Sequence, residues 1–570
     1  MIQDAHTLPA HTRLDSEVCV VGAGPAGIAL ALALGEQGIP VLLLEAGRDA
    51  PDVAAQALYE GELANADHSP PHRYRLRGLG GSSVLWGGRC MPLDPIDFES
   101  RDWVPHSGWP LHHDDLLPYY RAANALAEAG HYAYDADEAL PGAPPLIRGW
   151  SSDIVSTCGL ERFSCPTNFG RRYARRLRLS PAIWVLRGAV CTGIRLESPT
   201  PPPGALRAVR HLDVATRAGK RLQVRARVVV LAAGGLETAR LLLCSDDVRP
   251  GGVGNTYDVV GRYYMCHIAG NLGTLTLRGP VSEVRHGYEV SPEGVYCRRR
   301  LSIRAASQRR EGLLNAVARL HFPRIADPAH RSGVLSGLFL ARRLIAYEYA
   351  RRLHDGSTLS AGRIARHVLN VVSDGPDTLA FLAHWLTQRT WAQRKFPSVI
   401  LTNRTNRFSL EVQGEQQPHP ESRVTLADAV DDLGMRRLRI DWRYRPDDIA
   451  SIGRTLNILA TEFARSDVGQ LQIEPASLEE DLLRYGAYGG HHIGTARMGR
   501  DPRTSVVDPN ARVHDVANLY IAGSAVFPTS SQANPTLTLL ALSLRLADHL
   551  ARTLRDDGAR PLPLHREPAA

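Results

Sequence analysis

The stretch from Glu17 to Gly47, EVCVVGAGPAGIALALALGEQGIPVLLLEAG, constrains the fold more than any other. Val18 to Val21 is a short apolar run rich in β-branched residues and reads as a buried strand. Gly22, Gly24 and Gly27 follow in the spacing G-x-G-x-x-G. An apolar helix from Ile28 to Leu34, a stop at Gly38 and a second buried strand, Val41 to Leu44, come next, with Glu45 at its tip. This is a β–α–β unit carrying a dinucleotide fingerprint. Gly22 makes the tight turn, Gly24 lets the backbone approach a pyrophosphate, and Gly27 lets helix pack on strand. The helix N-terminus offers free N–H groups and a positive dipole to phosphates. Glu45, 18 residues past Gly27, can accept both ribose hydroxyls of an adenosine. The unit alone does not separate NAD from FAD.

A second glycine-rich stretch, Arg77 to Arg89, narrows the choice. Gly78, Gly80, Gly81, Ser82, Ser83, Gly87 and Gly88 surround a single large aromatic, Trp86. So many small residues let backbone come within contact distance of a flat ligand. The bland alternative is a solvated surface loop, against which the central Leu85–Trp86 pair argues. A nicotinamide enzyme has no need of such a clamp this early, whereas a flavin has a broad ring to hold. Arg225 to Leu243 is a further buried strand, Gly-Gly turn and helix that can return to the first sheet. Ala189–Val190 is a candidate adenine contact by position.

The chain is too long for one simple core: 570 residues suggest two domains. The net charge of +8 is carried almost wholly by Arg, since Lys220 and Lys395 are the only lysines. No block of like charge points to nucleic acid. Eight cysteines without a C-x-x-C pair indicate neither a zinc site nor a disulfide framework. Reduced thiols, a polar Met1–Asp15 without a signal pattern and no apolar run long enough to span a bilayer lead us to expect a cytoplasmic protein.

Between the motifs, Asp114 is a candidate N-cap for a helix from Asp115, Asp137 to Arg148 reads as an exposed Pro-containing loop, and Phe169 to Leu179 as a basic helix. Strands are expected at Ile183–Leu196 and Leu206–Ala215, around a Pro-rich tip at Pro199–Gly204. From about Gly270 alternating strands appear at Leu301–Ala305, Leu313–Phe322, Val399–Thr402, Arg407–Val412, Arg423–Leu426 and Leu438–Trp442. They suggest an antiparallel sheet with helices on one face. Asp447–Arg465 is an amphipathic helix. Gly333–Ala392 reads as helical with paired arginines. A core-packed element with a basic outer face is the expectation, in a protein that needs no detergent; a lid, a dimer contact or a membrane-surface helix are the alternatives. Near the C-terminus Tyr488–Gly499 reads YGGHHIGTARMG, and Asn518–Gly523 is a strand ending in Gly. A long helix follows Ser524–Thr538, with Asn534 suited to N-cap it and Pro535 to open it.

Four of these motifs, in this order, resemble the glucose–methanol–choline (GMC) flavoprotein oxidoreductases: Gly22–Gly27 with Glu45, GGSS-x-x-WGG at Gly80–Gly88, H-x-x-G-T at His491–Thr495, and GS-x-x-FP…NPT at Gly523–Thr536. With Val228–Gly235 they span nearly the whole chain. Asn255–Arg262 and Ser107–Pro110 are most similar to the branch acting on sugars and polyols, near pyranose oxidases and gluconate-type dehydrogenases. The resemblance implies an α/β fold (α+β overall), a Rossmann-like FAD-binding domain interleaved with a substrate domain of antiparallel sheet and helices. It assigns 14–100, 170–268 and 486–558 to the first and 101–169 and 269–485 to the second. It places FAD against Gly22, Gly24, Ala26, Gly27, Glu45, Ala46, Gly81, Ser82, Leu85, Trp86, Gly87, Gly88, Val190, Ala233, Gly234, Gly523, Ser524, Asn534, Pro535 and Thr536. Some sugar oxidases of the family attach FAD through a His just before the clamp Trp. Leu85 stands there, which implies non-covalent FAD.

The family's active-site pair would be His491 and Asn534. Alcohol oxidation needs an acceptor for the O–H proton, for which His has a suitable pKa, and a hydride acceptor, flavin N5. Asn534 can align the substrate oxygen or cap its own helix. His492 is the second candidate base. His106, His112, His113 and His267 read as surface or core residues, and His68–His72 encloses Pro70 and Pro71, so it is no helical metal pair; no metal is expected. The expected partners are a small alcohol or carbohydrate and an electron acceptor, oxygen or a redox partner, with an oligomer possible. A hydroxynitrile-type lyase with a redox-silent FAD is the alternative.

Overall fold

The computed structural model describes all residues except 49–51, 198–205, 324, 343–359, 399–400, 402–405, 485–487, 559–561, 563 and 568–570. The β–α–β unit forms as read. Strand Arg13–Val21, helix Pro25–Glu36 and strand Val41–Glu45 succeed one another, and the strands pair in parallel from Val18–Val41 to Val21–Leu44. They lie central in a nine-stranded sheet. Its order is Ile2–Asp4, Ile183–Arg187, Val41–Glu45, Arg13–Val21, Arg221–Leu231, Val209–Ala215 and Val190–Leu196. The first five are parallel and the last two return antiparallel. Leu519–Ile521 pairs in parallel with the end of Arg221–Leu231, and His565–Glu567 joins the start of Arg13–Val21. Val18, Val20, Leu42, Leu43 and Val230 are fully buried, as central parallel strands covered on both faces must be. Helix Pro25–Glu36 packs against the C-terminal helix Thr536–Asp556. Val21, Glu45, Leu231 and Ile521 all end on one edge, the carboxyl end where open α/β sheets take their ligands.

The second large sheet is antiparallel, in the order Gly469–Gln472, Met265–Leu277, Arg407–Gly414, Ala316–His321, Leu301–Ile303 and Val155–Ser156. Tyr488–Ile493 pairs with the start of Met265–Leu277, which brings the H-x-x-G-T segment onto this sheet. Helix Pro446–Arg465 packs its apolar stripe, Ile452, Leu456, Leu459 and Phe463, into the same core.

Several local expectations change. Helix His113–Leu126 starts two residues early, with the Asp115 carboxylate accepting the His112 N–H. The run Ile183–Leu196 is broken by a left-handed Gly188 (φ 67°), so its halves face different neighbours. In the supposed loop Asp137–Arg148, Ala139, Leu140, Leu146 and Ile147 are buried, because prolines fix φ without keeping the apolar residues between them in water. Arg423–Val430 and Arg436–Asp441 do not extend the antiparallel sheet but form their own three-stranded sheet with Gly61–Leu63. The last helix begins at Thr536, with Pro535 as its flanking residue, so Asn534 does not cap it. Gly333–Leu340 is core-packed as expected, but no residue of helix Gly375–Trp385 is buried. The expected strand Val399–Thr402 lies almost wholly outside the described residues, as do the Pro-rich tip and 343–359.

Candidate active site

The carboxyl edge of the parallel sheet opens into a cavity of about 520 Å³. Two of the fingerprint glycines are demanded by packing. Gly22 has φ 108°, and a Cβ there would meet the Ala232 carbonyl oxygen at 2.6 Å. A Cβ on Gly27 would meet the Gly22 oxygen at 1.9 Å. Gly24, Gly87, Gly234 and Gly523 differ: an added Cβ on any of them would meet nothing within 4 Å, and all four line the cavity. These four bare backbone segments, from four separate stretches of chain, form a cradle open toward a ligand. Every residue assigned above to the cofactor lines this cavity except Gly27, and so does His491.

Glu45 stands on the wall, with Oε2 accepting the Ala23 N–H at 3.0 Å and Oε1 the Gly47 N–H at 2.8 Å. Burial pushes its pKa up against these bonds, and each carboxylate oxygen retains a lone pair for a hydroxyl. Gly81–Val84 of the clamp forms a short 3₁₀ turn against helix Phe169–Leu179. The Trp86 indole N–H donates to the Thr167 carbonyl at 2.9 Å, and its ring meets Phe169 edge-on. The residues present thus fit a dinucleotide with a flat ring: a glycine cradle, a helix N-terminus at Pro25 and a buried acceptor at Glu45.

Strand Tyr488–Ile493 presents His491 and His492 to the same cavity. His491 Nε2 lies 3.2 Å from Asn534 Nδ2. Its Nδ1 lies 2.7 Å from Nδ1 of His267, whose Nε2 is 3.2 Å from the Ser530 carbonyl oxygen. A carbonyl only accepts, so His267 carries its proton on Nε2 and leaves Nδ1 bare. His491 must then donate from Nδ1, and its Nε2 is a lone-pair acceptor. The Asn534 amide is oriented likewise: Gln413 Nε2 donates to Asn534 Oδ1 at 3.2 Å and to the Gln532 carbonyl at 2.7 Å. Asn534 Nδ2 is therefore a donor, with one N–H toward His491 and one to spare.

Burial, neighbouring His267 and Arg89 hold the His491 pKa well below the usual imidazole range. Burial brings His267 down to about 4. Both rings are neutral at pH 7. Sequence reasoning set His267 aside, and Gln413 and Arg89 drew no attention. Their partners lie far along the chain, His267 and His491 being 224 residues apart, and no local pattern marks such a pair.

His492 belongs to a second network. His68 Nδ1 lies 2.6 Å from the Ser69 carbonyl oxygen, and the Tyr264 hydroxyl is 2.7 Å from both His68 Nε2 and His492 Nδ1. Ligand atoms of His68, Cys266 and His492 lie within 4.8 Å of one another, but the Tyr264 hydroxyl stands among them and bonds both imidazoles, so the cluster is satisfied as a hydrogen-bond network. His492 Nε2 is buried without a hydrogen-bond partner among the described residues.

Farther along, Arg89, Phe163, Tyr288, His321, Ser398 and Glu411 give the cavity polar and aromatic walls. Arg89 bridges Glu161 at 3.4 Å and Glu411 at 3.7 Å. Arg298 also pairs with Glu411, at 2.7 Å.

A family profile described as FAD dependent oxidoreductase matches residues 17–344, and one described as GMC oxidoreductase matches residues 418–543. The 2-methyl-1,2-propanediol dehydrogenase of Mycolicibacterium austroafricanum is 25% identical, covering 95% of this chain and 96% of that protein. The 6'''-hydroxyparomomycin C oxidase of Streptomyces lividus is 26% identical, over 95% and 92%. Pyridoxine 4-oxidase from Mesorbium loti shares the fold, with a TM-score of 0.53 at 21% identity over 94% of this chain and 99% of that one. The lyase alternative gains no support from these likenesses.

Proposed function

The chain belongs to the GMC family of FAD-dependent oxidoreductases, and we propose that it oxidises a hydroxyl of a sugar, glycoside, aminoglycoside or other polyol, with His491 accepting the proton and Asn534 aligning the oxygen. One observation carries this reading. The His491–Asn534 pair, 3.2 Å apart, stands on the wall of the same cavity that Gly22, Gly24 and Glu45 line.

FAD, when bound, supplies the hydride acceptor. The chain's own groups do the rest. A substrate hydroxyl that takes the place of the Asn534 N–H on His491 Nε2 donates to that lone pair and accepts from Asn534 Nδ2. His267 keeps His491 in the required tautomer, and the depressed pKa keeps Nε2 unprotonated at neutral pH. The polar walls at Arg89, Glu411, His321 and Ser398 suit a substrate with several hydroxyls. The relatives named for a diol and an aminoglycoside support the same class.

Leu85 lines the cavity where the covalent family members carry a His, so we read the FAD as non-covalent. Acid precipitation should then release all yellow colour into the supernatant, and colour held in the pellet would overturn this. We assign 14–100, 170–268 and 486–558 to the FAD domain and the rest from 101 to 485 to the substrate domain. The acceptor is oxygen or a redox partner. No described helix is long and apolar enough to cross a membrane. The eight free thiols support a reducing, cytoplasmic location. The deciding experiment is anaerobic mixing of holoprotein with a panel of sugars, glycosides, aminoglycosides and diols. Bleaching of the flavin by a polyol is the expected result, and no bleaching by any member while simple primary alcohols bleach it would sink the substrate class.

A further inference from the structure

Helices Ala361–Ser373 and Gly375–Trp385 follow one another across Asp374 on the outside of the molecule. The pair is held from one side. His367 is buried, stacked on Phe339 with centroids 4.2 Å apart and 3.0 Å from the Ser336 hydroxyl. The Asn370 amide donates to the Pro328 carbonyl at 2.9 Å. The other side is apolar and uncovered. Val368, Leu369, Val372, Leu379, Leu382 and Trp391 are between 46% and 73% exposed. Ile364, Val368 and Val372 recur every four residues, and Leu379, Leu382 and Leu386 at three and four. Such stripes face a core in an ordinary amphipathic helix. Here both face out, which marks an interaction surface.

The charge of the segment indicates what covers it. Residues 361–397, which carry the stripes, hold five Arg and Lys against two Asp, a net +3. Arg366 and Lys395 are exposed beside the apolar stripes. A second copy docking through a twofold axis would set this patch against itself, basic face on basic face. An anionic lipid surface satisfies both properties at once. Apolar side chains enter the acyl boundary, Trp sits at the headgroup level, and Arg and Lys meet the phosphates. The anionic leaflet that faces the cytoplasm attracts such segments.

We propose that the 361–391 segment docks the protein on an anionic membrane surface, lying in the interface without crossing it. Its exit leads straight to the site. The Lys395 N–H donates to the Cys165 carbonyl at 2.8 Å, Phe396 packs on Tyr288 and Tyr296, and Pro397 and Ser398 line the cavity. Docking thus holds the cavity rim beside the lipid.

The test is co-sedimentation of the FAD-loaded full chain with vesicles of phosphatidylglycerol and phosphatidylcholine mixed, and of phosphatidylcholine alone. Binding to the mixed vesicles, weakened by high salt, is expected. Leu369→Glu, Val372→Glu and Leu379→Glu combined should lower the partition at least about tenfold, while flavin content and turnover of a water-soluble alcohol stay unchanged. Arg366→Glu with Lys395→Glu should weaken anionic binding alone. Failure of the wild type to bind the mixed vesicles would overturn the proposal. So would binding that the triple variant leaves unchanged. A sedimentation-velocity dimer that the triple variant dissociates, without vesicle binding, would overturn it in favour of self-association.

Discussion

Two histidine networks leave one strand in different directions. His491 leans on His267 and the Ser530 carbonyl, and His492 leans on Tyr264, His68 and the Ser69 carbonyl. The logic of the two chains is the same. A terminal carbonyl fixes one proton, and the relay leaves each Nε2 a bare acceptor. Burial depresses both pKa values well below the ordinary range. Tautomer and charge therefore do not distinguish a base here. The difference lies in what each Nε2 meets: His491 faces the Asn534 amide at the mouth of the last helix, whereas His492 meets no donor or acceptor among the described residues. A base is defined by the second group that holds the substrate oxygen against it.

That comparison predicts a descending order of effects. His491→Asn should keep fold and FAD yet slow anaerobic flavin reduction about 10²–10⁴-fold in stopped flow, the usual contribution of a general base. Should the wild-type rate survive in that variant, the roles of the two networks would have to be exchanged. Asn534→Ala should cost about 10–10²-fold, since the base remains and only the alignment is lost.

His267→Leu should cost about tenfold, with a signature that mere loosening would not give. His267 accepts the His491 Nδ1–H and so fixes which nitrogen is left as the bare acceptor. His267→Gln, whose amide oxygen can still accept from Nδ1, should restore most of the rate. A His267→Gln variant as slow as His267→Leu would remove the tautomer role from the mechanism. Stability gives a second reading. His267 titrates near 4 when folded, against 6.5 as its ordinary value. Between those values the unfolded chain binds a proton that the folded chain does not. Folding stability should therefore fall as pH falls below 6.5, by about 2 kcal/mol at pH 5 from this group. Urea midpoints at pH 7 and 5 should differ less in His267→Leu than in the wild type.

The smallest effect belongs to the other network. His492→Ala should change flavin reduction by less than about threefold. A large loss there, with His491→Asn mild, would break the comparison outright.

Much of this site was legible one segment at a time. The fingerprint, the clamp and the NPT turn are local patterns, and each does its work with backbone: a turn that needs Gly22, a close approach at Gly24 and Gly87, a helix that begins at Thr536. Such features depend on residues a few positions apart, so their spacing carries them. Elsewhere the local reading was overruled. Asn534 follows the rule for a cap, yet its amide is claimed by Gln413 and His491 from two other segments. The apolar stripes of 361–386 follow the rule for a core, yet they stand exposed.

The sequence by itself determined the nucleotide-binding architecture, because that rests on short-range sterics and on hydrophobic periods of two and 3.6 residues, while the family resemblance of its motifs implied FAD and the candidate pair His491 and Asn534. Only the tertiary structure decided that His267 sets the His491 tautomer and that Gln413 turns the Asn534 amide. Those outcomes depend on which strands become neighbours in the antiparallel sheet. Met265–Leu277 carries His267, Arg407–Gly414 carries Gln413, and Tyr488–Ile493 carries His491, three strands brought side by side by pairing across more than a hundred residues.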